Sequence, residues 1–161
     1  MPLNKKTCDM VVEVTCTHKV TNHDTAAYVR GYLAKRRNDT IEDVVHLDGG
    51  GLRYTVPVDV PAWVTKMLRL PPLNFVEDVT WASGDCVHIR AACVGTDVRV
   101  HTILRPKDGG TVVNTVVKVD PVYKGIRAPR FLVRTVVEHL FRKERGRDLA
   151  YIEAHLSAPR R

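Results

Sequence analysis

The residues best suited to do chemistry in this chain are basic. Lys143 and Arg147 lie four residues apart in a closing segment of helical period, so both project from one side of it. Arg147 suits an anionic oxygen group, because a guanidinium fork gives two parallel charged hydrogen bonds. Arg53, Arg90, Arg99, His18 and His101 sit in alternating Val-rich runs, where some of them face inward. The alternative for each is a solvated surface charge. For His18, which shares a face with Val12 and Val14, the alternative is a histidine satisfied within a core. Glu144 falls on the apolar stripe of the closing segment. A buried carboxylate needs a partner, and Arg147 or Lys143 is close enough in sequence to serve. A second group is apolar: Trp63, Val64, Met67, Leu68 and Leu70 crowd between Pro61 and Pro71-Pro72. Fully burying one such side chain in lipid contributes ~1.5–3 kcal/mol, so a few suffice for reversible membrane contact. Trp63 suits the membrane interface, with its N–H in the wet layer. The alternative is a short helix packed permanently on a core.

These side chains need a scaffold, and periodicity supplies one. Met10 to His18 alternates as a strand, with Val12, Val14, Cys16 and His18 on one face. Thr21-Asn22-His23-Asp24 signals a helix start, and Thr25 to Lys35 follows with Ala26, Val29, Tyr32 and Leu33 inward. Arg36-Arg37-Asn38-Asp39 ends that helix. Ile41–Leu47 and Leu52–Val60 read as a hairpin around a glycine-rich turn. Pro61 opens a short helix to Leu70. Four more strands follow, Phe75–Trp81, Asp85–Val94, Asp97–Leu104 and Thr111–Val119, linked by short turns that imply an antiparallel meander. Asp120 to Pro129 reads as a loop. The closing segment then carries Val133, Val136, Val137, Leu140 and Phe141 on one side of a helix, and Leu149, Ile152 and Leu156 resume the stripe on a rotated face. Either the helix is continuous, or it breaks at Gly146. The fold class is α+β: a curved antiparallel sheet of about six or seven strands wrapped around a long C-terminal helix, the helix-grip architecture. Charge inside the stripe of that helix suggests a cavity beneath it and not only a core.

Bulk properties narrow the classes further. A length of 161 residues favours one domain over 1–161, large enough for a core without disulfides or metal. The four cysteines, Cys8, Cys16, Cys86 and Cys93, form no C-x-x-C pair, and no zinc-finger spacing accompanies them. They read as reduced thiols, and no metal or cofactor is expected. The net charge of +7 favours acidic partners, including an anionic membrane surface. Nucleic acid is not expected, because ten aromatics (three Phe, five Tyr, two Trp) do not make the stacking platform that single strands need. No stretch approaches the eighteen apolar residues of a membrane span, and the N-terminus lacks the apolar core of a secretory signal. Among the histidines, His18, His88 and His101 are the plausible acid–base groups, but no Ser-His-Asp or Cys-His spacing supports catalysis.

In this order of elements, three stretches resemble the PRELI-like proteins of the START-like (SRPBCC) helix-grip group. The first is Ile41-Glu42-Asp43-Val44-Val45-His46 leading into the Leu52–Val60 strand. The second is Val60-Pro61-Ala62-Trp63, then Lys66-Met67-Leu68 and Phe75-Val76-Glu77-Asp78. The third is Arg145-Gly146-Arg147-Asp148-Leu149. The chain lacks the family's tyrosine-proline-asparagine-proline stretch, reading Lys35-Arg36-Arg37-Asn38-Asp39 instead, and so resembles a divergent member. The resemblance implies a non-enzymatic carrier of one anionic phospholipid, phosphatidic acid or phosphatidylserine, in the mitochondrial intermembrane space. A cytoplasmic location is the alternative. It implies a small disulfide-bonded helical-hairpin chaperone as partner and the Pro61–Leu73 region as a lid. Lys143, Arg147, Arg53, Arg90 and His18 are then the candidate head-group contacts. The alternative is a START-like cavity protein that binds or converts another hydrophobic small molecule.

Overall fold

A computed structural model describes residues 11–21, 23–38, 41–57, 62–68, 72–94, 96–120, 122–123, 126–127 and 129–157. Seven strands form one antiparallel sheet: β1 (Val12–Val20), β2 (Glu42–His46), β3 (Leu52–Pro57), β4 (Asn74–Trp81), β5 (Val87–Cys93), β6 (Val98–Lys107) and β7 (Gly110–Val119). Their order across the sheet is β1-β7-β6-β5-β4-β3-β2, so β1 closes back beside the last strand of the meander. Strand alternation follows the side chains. Val12, Val14, Tyr54, Val56, Val79, Val87, Ile89, Leu104, Val113 and Val117 are buried on the inner face. The tightest hairpin, β6–β7, turns on Asp108 (φ 51°) and Gly109 (φ 79°), the left-handed pair that matches strand twist. Edge strand β2 is exposed throughout and irregular at Asp43 (φ 53°), which breaks its register between Glu42 and Val45.

Among the described residues three α-helices accompany the sheet: α1 (Thr25–Asn38), α2 (Ala62–Leu68) and α3 (Arg130–Ser157). Asp24 caps α1, its Oδ1 accepting from Ala27 N at 2.8 Å. Helix α3 runs 28 residues, about 42 Å at the helical rise, and lies against the inner face. Its first half packs Val133, Val137 and Phe141 against the Val12–Val14–Val117 cluster, and its second half seats Ile152 in the main core with Tyr28, Val29 and Tyr32 of α1. At Gly31 the two helices meet so closely that an added Cβ would stand 2.9 Å from Ile152 Cγ2.

The observed elements adjust four sequence expectations. Helix α1 continues to Asn38, so Arg36 and Arg37 belong to its last turn. Ala26 is exposed and Tyr28 takes the inward position, because the inner face of α1 follows Tyr28, Val29 and Tyr32. The expected loop before α3 contains a small ribbon, β8 (Val122–Tyr123) paired with β9 (Ile126–Arg127). Helix α3 passes through Gly146 without a break, since packing on both flanks outweighs the weak helix propensity of one glycine. Val58, Val60, Pro61, Leu70 and Pro71 lie outside the described residues.

An added Cβ at Gly146 meets nothing within 4 Å. Gly146→Ala is therefore expected to stabilise the protein by ~0.5–1 kcal/mol in urea unfolding, through helix propensity alone. A loss of stability would mean that the chain needs glycine's freedom there and that α3 is not continuous.

Candidate functional site

Between α3 and the inner face of the sheet lies a cavity of about 370 Å³. That is at the lower end of the ~300–1,000 Å³ typical of small-molecule sites. Its walls divide by chemistry. Val56, Phe75, Ala91, Cys93, Val98, Val100, Val117 and Val119 from the strands, with Val137, Leu140 and Phe141 from α3, make one part apolar. Tyr28, Tyr32, Arg36, Glu77, Thr102, Arg145 and Asp148 make the other part polar.

The division runs along the strands. Val12↔Val119↔Val98, Phe75↔Cys93 and Pro57↔Asn74 are paired rows at one end of the sheet. Arg130, at the start of α3, donates to Val11 O at 3.2 Å and so lies at that same end. Glu77 lies one row further in, beside Ala91, Val100 and Val117, and Thr102 and Thr115 pair in the row beyond it. The cavity is thus apolar toward the strand ends and polar toward the middle of the sheet.

The polar part is organised by Glu77, which is 3% exposed on the inner face of β4. Tyr32 Oη donates to both carboxylate oxygens, at 2.8 and 2.7 Å, and Arg36 Nε donates to Oε1 at 3.0 Å. Arg36 Nη2 also lies 3.6 Å from Asp148 Oδ2, and Lys35 Nζ lies 3.5 Å from Asp148 Oδ1. One charged network therefore joins α1, β4 and α3. Burial opposes the charge on Arg36, yet Tyr32, Glu77 and Asp148 together hold its pKa above the ordinary arginine value. Burial raises the Asp148 carboxyl, with Arg36 the main opposing influence. Burial also pushes the Tyr32 hydroxyl well up, with the Glu77 charge adding to it.

Arg145 occupies a different setting. It is half-buried and lines the cavity, and its Nη2 donates to Thr115 Oγ1. Thr115 Oγ1 is itself 3.1 Å from Thr102 Oγ1. No carboxylate lies within ion-pair distance of Arg145 among the described residues. Its charge reaches two neighbours. Burial, and then Arg145, lower the His18 imidazole to about 4. Burial raises the Tyr28 hydroxyl, and the Arg145 charge works against that rise.

The expected site residues separate on this map. Lys143 and Arg147 line the cavity from α3 but are mainly exposed. His18 faces the interior, its Nε2 buried and without a hydrogen-bond partner among the described residues. Arg53 and Arg90 point from the outer face, because inward parity in their strands belongs to Tyr54 and Ile89. Arg53 is held there by Asp78 through contacts of 2.7 and 2.9 Å. Arg99 and His101 are outer-face residues as well; His101 Nε2 is 2.9 Å from His88 Nδ1. Glu144 pairs across the helix interface with Lys35 at 3.7 Å and Arg36 at 3.9 Å. Trp63 on α2 is 60% exposed. Val64, Met67 and Leu68 belong to α2, but their side chains, like Leu70 as a whole, lie outside the described residues.

The residues that sequence reasoning passed over are Tyr28, Tyr32, Arg36, Glu77, Arg145 and Asp148. One signal was available: Glu77 sits at inward parity between Phe75 and Val79, where a carboxylate demands a partner.

A curved sheet gripping a terminal helix over an internal cavity is the helix-grip fold. Solved structures share that fold at low identity. The human STARD10 structure superposes with TM-score 0.59 at 11% identity, covering 88% of this chain and 63% of that one. The di-domain ARO/CYC StfQ of the steffimycin biosynthetic pathway gives TM-score 0.62 at 13% identity, covering 93% of this chain and 52% of that one. TTHA0849 from Thermus thermophilus gives TM-score 0.56 at 14% identity, covering 89% of this chain and 96% of that one. No protein-family model and no curated protein sequence matches the chain, so the likeness is one of fold.

Two outcomes follow from the polar network. Glu77→Ala is expected to destabilise the protein by ~3–5 kcal/mol in urea unfolding, because it takes from the buried Arg36 guanidinium and the Tyr32 hydroxyl the carboxylate to which both are hydrogen-bonded. The second concerns pH. The unfolded chain takes up the His18 proton near 6.5, whereas the folded chain resists it down to about 4. This contribution to stability is complete above about pH 6.5 and declines as pH falls toward about 4. In His18→Gln the decline between those limits should shrink by on the order of 1–2 kcal/mol, after allowance for solvent screening at this partly exposed site. Urea midpoints measured across the range check it.

Proposed function

We propose that this chain is a non-catalytic carrier that encloses one hydrophobic molecule with a polar end. The observation that carries this reading is the divided cavity under α3, apolar toward the strand ends and hydrogen-bonding further in. Catalysis is less well supported, because the candidate acid–base groups Glu77 and Asp148 are already engaged by Arg36, Lys35 or Tyr32.

Exchange with a membrane has its own support. Trp63 is 60% exposed, Val94 59%, Phe131 74% and Leu132 44%. They come from three separate segments: α2, which links the paired ends of β3 and β4, the turn after β5, and the start of α3. All three lie at the end of the sheet where the cavity is apolar. Single exposed apolar residues are ordinary, but exposed apolar side chains on three segments at one end of the sheet suit contact with lipid.

On the narrower reading that the motif resemblance favours, the cargo is an anionic phospholipid, phosphatidic acid or phosphatidylserine. It would move between membranes of the mitochondrial intermembrane space with the help of a helical-hairpin chaperone. The modest cavity volume favours a second reading, a more compact hydrophobic ligand of the same polarity.

Native mass spectrometry of protein purified from cells tests the carrier directly, and vesicle assays with fluorescent phosphatidic acid and phosphatidylserine test the narrower version. A retained hydrophobic molecule is expected. An empty protein that moves no lipid between vesicles, with or without a chaperone, would rule the carrier out.

A further inference from the structure

The cations around the cavity are not equivalent. Arg36 is matched by Glu77, Asp148 and Glu144 within 3.0 to 3.9 Å. Arg145 meets only neutral hydroxyls among the described residues, those of Thr115 and Tyr28, although a guanidinium carries five N–H donors. It is half-buried, and burying a charge without a counter-charge is costly. The hydroxyls around it come from two adjacent strands, through Thr115 and Thr102, and from α1, through Tyr28. His18 adds a buried Nε2 without a hydrogen-bond partner among the described residues. A guanidinium fork with donors beyond these two contacts, facing a cavity, suits an anionic oxygen group.

We propose that Arg145 is the anchoring cation of the cavity, and that the ligand is an amphipathic acid bound with its anionic group inward against Arg145 and its apolar tail toward the strand ends. This rests on the carrier reading and adds to it the ligand's orientation and the residue that holds its anionic group. The orientation follows from register. On β6 and β7, Thr115 and Thr102 pair in the middle of the sheet, whereas Val117, Val100, Val119 and Val98 form the rows between them and the strand ends; Glu77 shares the Val117–Val100 row on β4, where Tyr32 and Arg36 engage it. A carboxylate and a phosphate monoester present the same oxygen chemistry to a guanidinium fork, so both are candidates for the anionic end. Lys143 and Arg147, more exposed on the same helix, lie outside this inner position.

Binding of oleate, oleoyl lysophosphatidate and oleyl alcohol to the full chain, by titration calorimetry, tests this. In the wild type at least one acid should bind roughly 10- to 100-fold more tightly than the alcohol, as a charged hydrogen bond to a buried anion implies. Whichever acid gains more identifies the anionic group. In Arg145→Gln that advantage should vanish while alcohol binding persists, which shows an intact cavity. Should Arg145→Gln fail to fold by circular dichroism, Arg145→Lys keeps the charge but loses the fork, and should show a reduced advantage. Equal affinity for acids and alcohol in the wild type overturns the proposal. So does an advantage that survives undiminished in the folded variant. If none of the three molecules binds the wild type, the carrier reading itself fails, which is a different result from binding without charge selectivity.

Discussion

The buried ion pair between Arg36 and Glu77 is the contact on which the rest of this structure depends. Glu77 stands on the mainly apolar inner face of the sheet, where an unpaired carboxylate would be very costly. Arg36 reaches it from α1, Tyr32 adds hydrogen bonds to both oxygens, and Asp148 draws the same guanidinium toward α3. Such a network contributes little net stability beyond a well-packed apolar alternative. Its importance is geometric. Three elements distant in sequence must meet at fixed separations for every charge to be satisfied. Helix α3 is therefore located by polar contacts at its middle and by apolar packing at Ile152 and Phe141 on either side.

That arrangement explains why a cavity and a core coexist under one helix. Beyond the network, Ile152 seats against Gly31 and the tyrosines of α1, and the space is filled. On the other side, small Val and Ala side chains of β5, β6 and β7 face Val137, Leu140 and Phe141 across open volume. Apolar packing would favour collapse there, but the charged groups at the inner boundary cannot be covered by hydrocarbon without losing their partners. The polar boundary also sorts the cations of α3. Lys143 and Arg147 on the rim are largely exposed, whereas Arg145 turns toward the hydroxyls of Thr115 and Thr102.

Most of the architecture was legible from periodicity. All seven sheet strands, both long helices and the antiparallel order follow from where alternation of period two gives way to a helical repeat. The site was legible only in outline. The charged stretch of the last helix was recognisable as an interruption of an apolar stripe, yet the residues emphasised there, Lys143 and Arg147, are the outer ones. A half-turn of helix separates a solvated cation from an inward one, and spacing along one helix does not say which side the sheet lies on. Arg53 and Arg90 illustrate the same limit on strands: their parity was readable, but the choice of inner face belongs to the partner rows.

The sequence by itself determined the element types, the curved antiparallel sheet, the terminal helix and the presence of charge where apolar packing was expected. These are local properties, set by side-chain alternation, turn chemistry and capping over a few residues. The tertiary structure alone decided that Glu144 pairs with Lys35 and Arg36 across two helices, that Glu77 and Asp148 share one guanidinium, and that Arg145 faces the cavity with no carboxylate beside it among the described residues. Each of those outcomes depends on groups brought together from 41 or more residues apart or on a partner that is absent, and neither leaves a periodic trace along the chain.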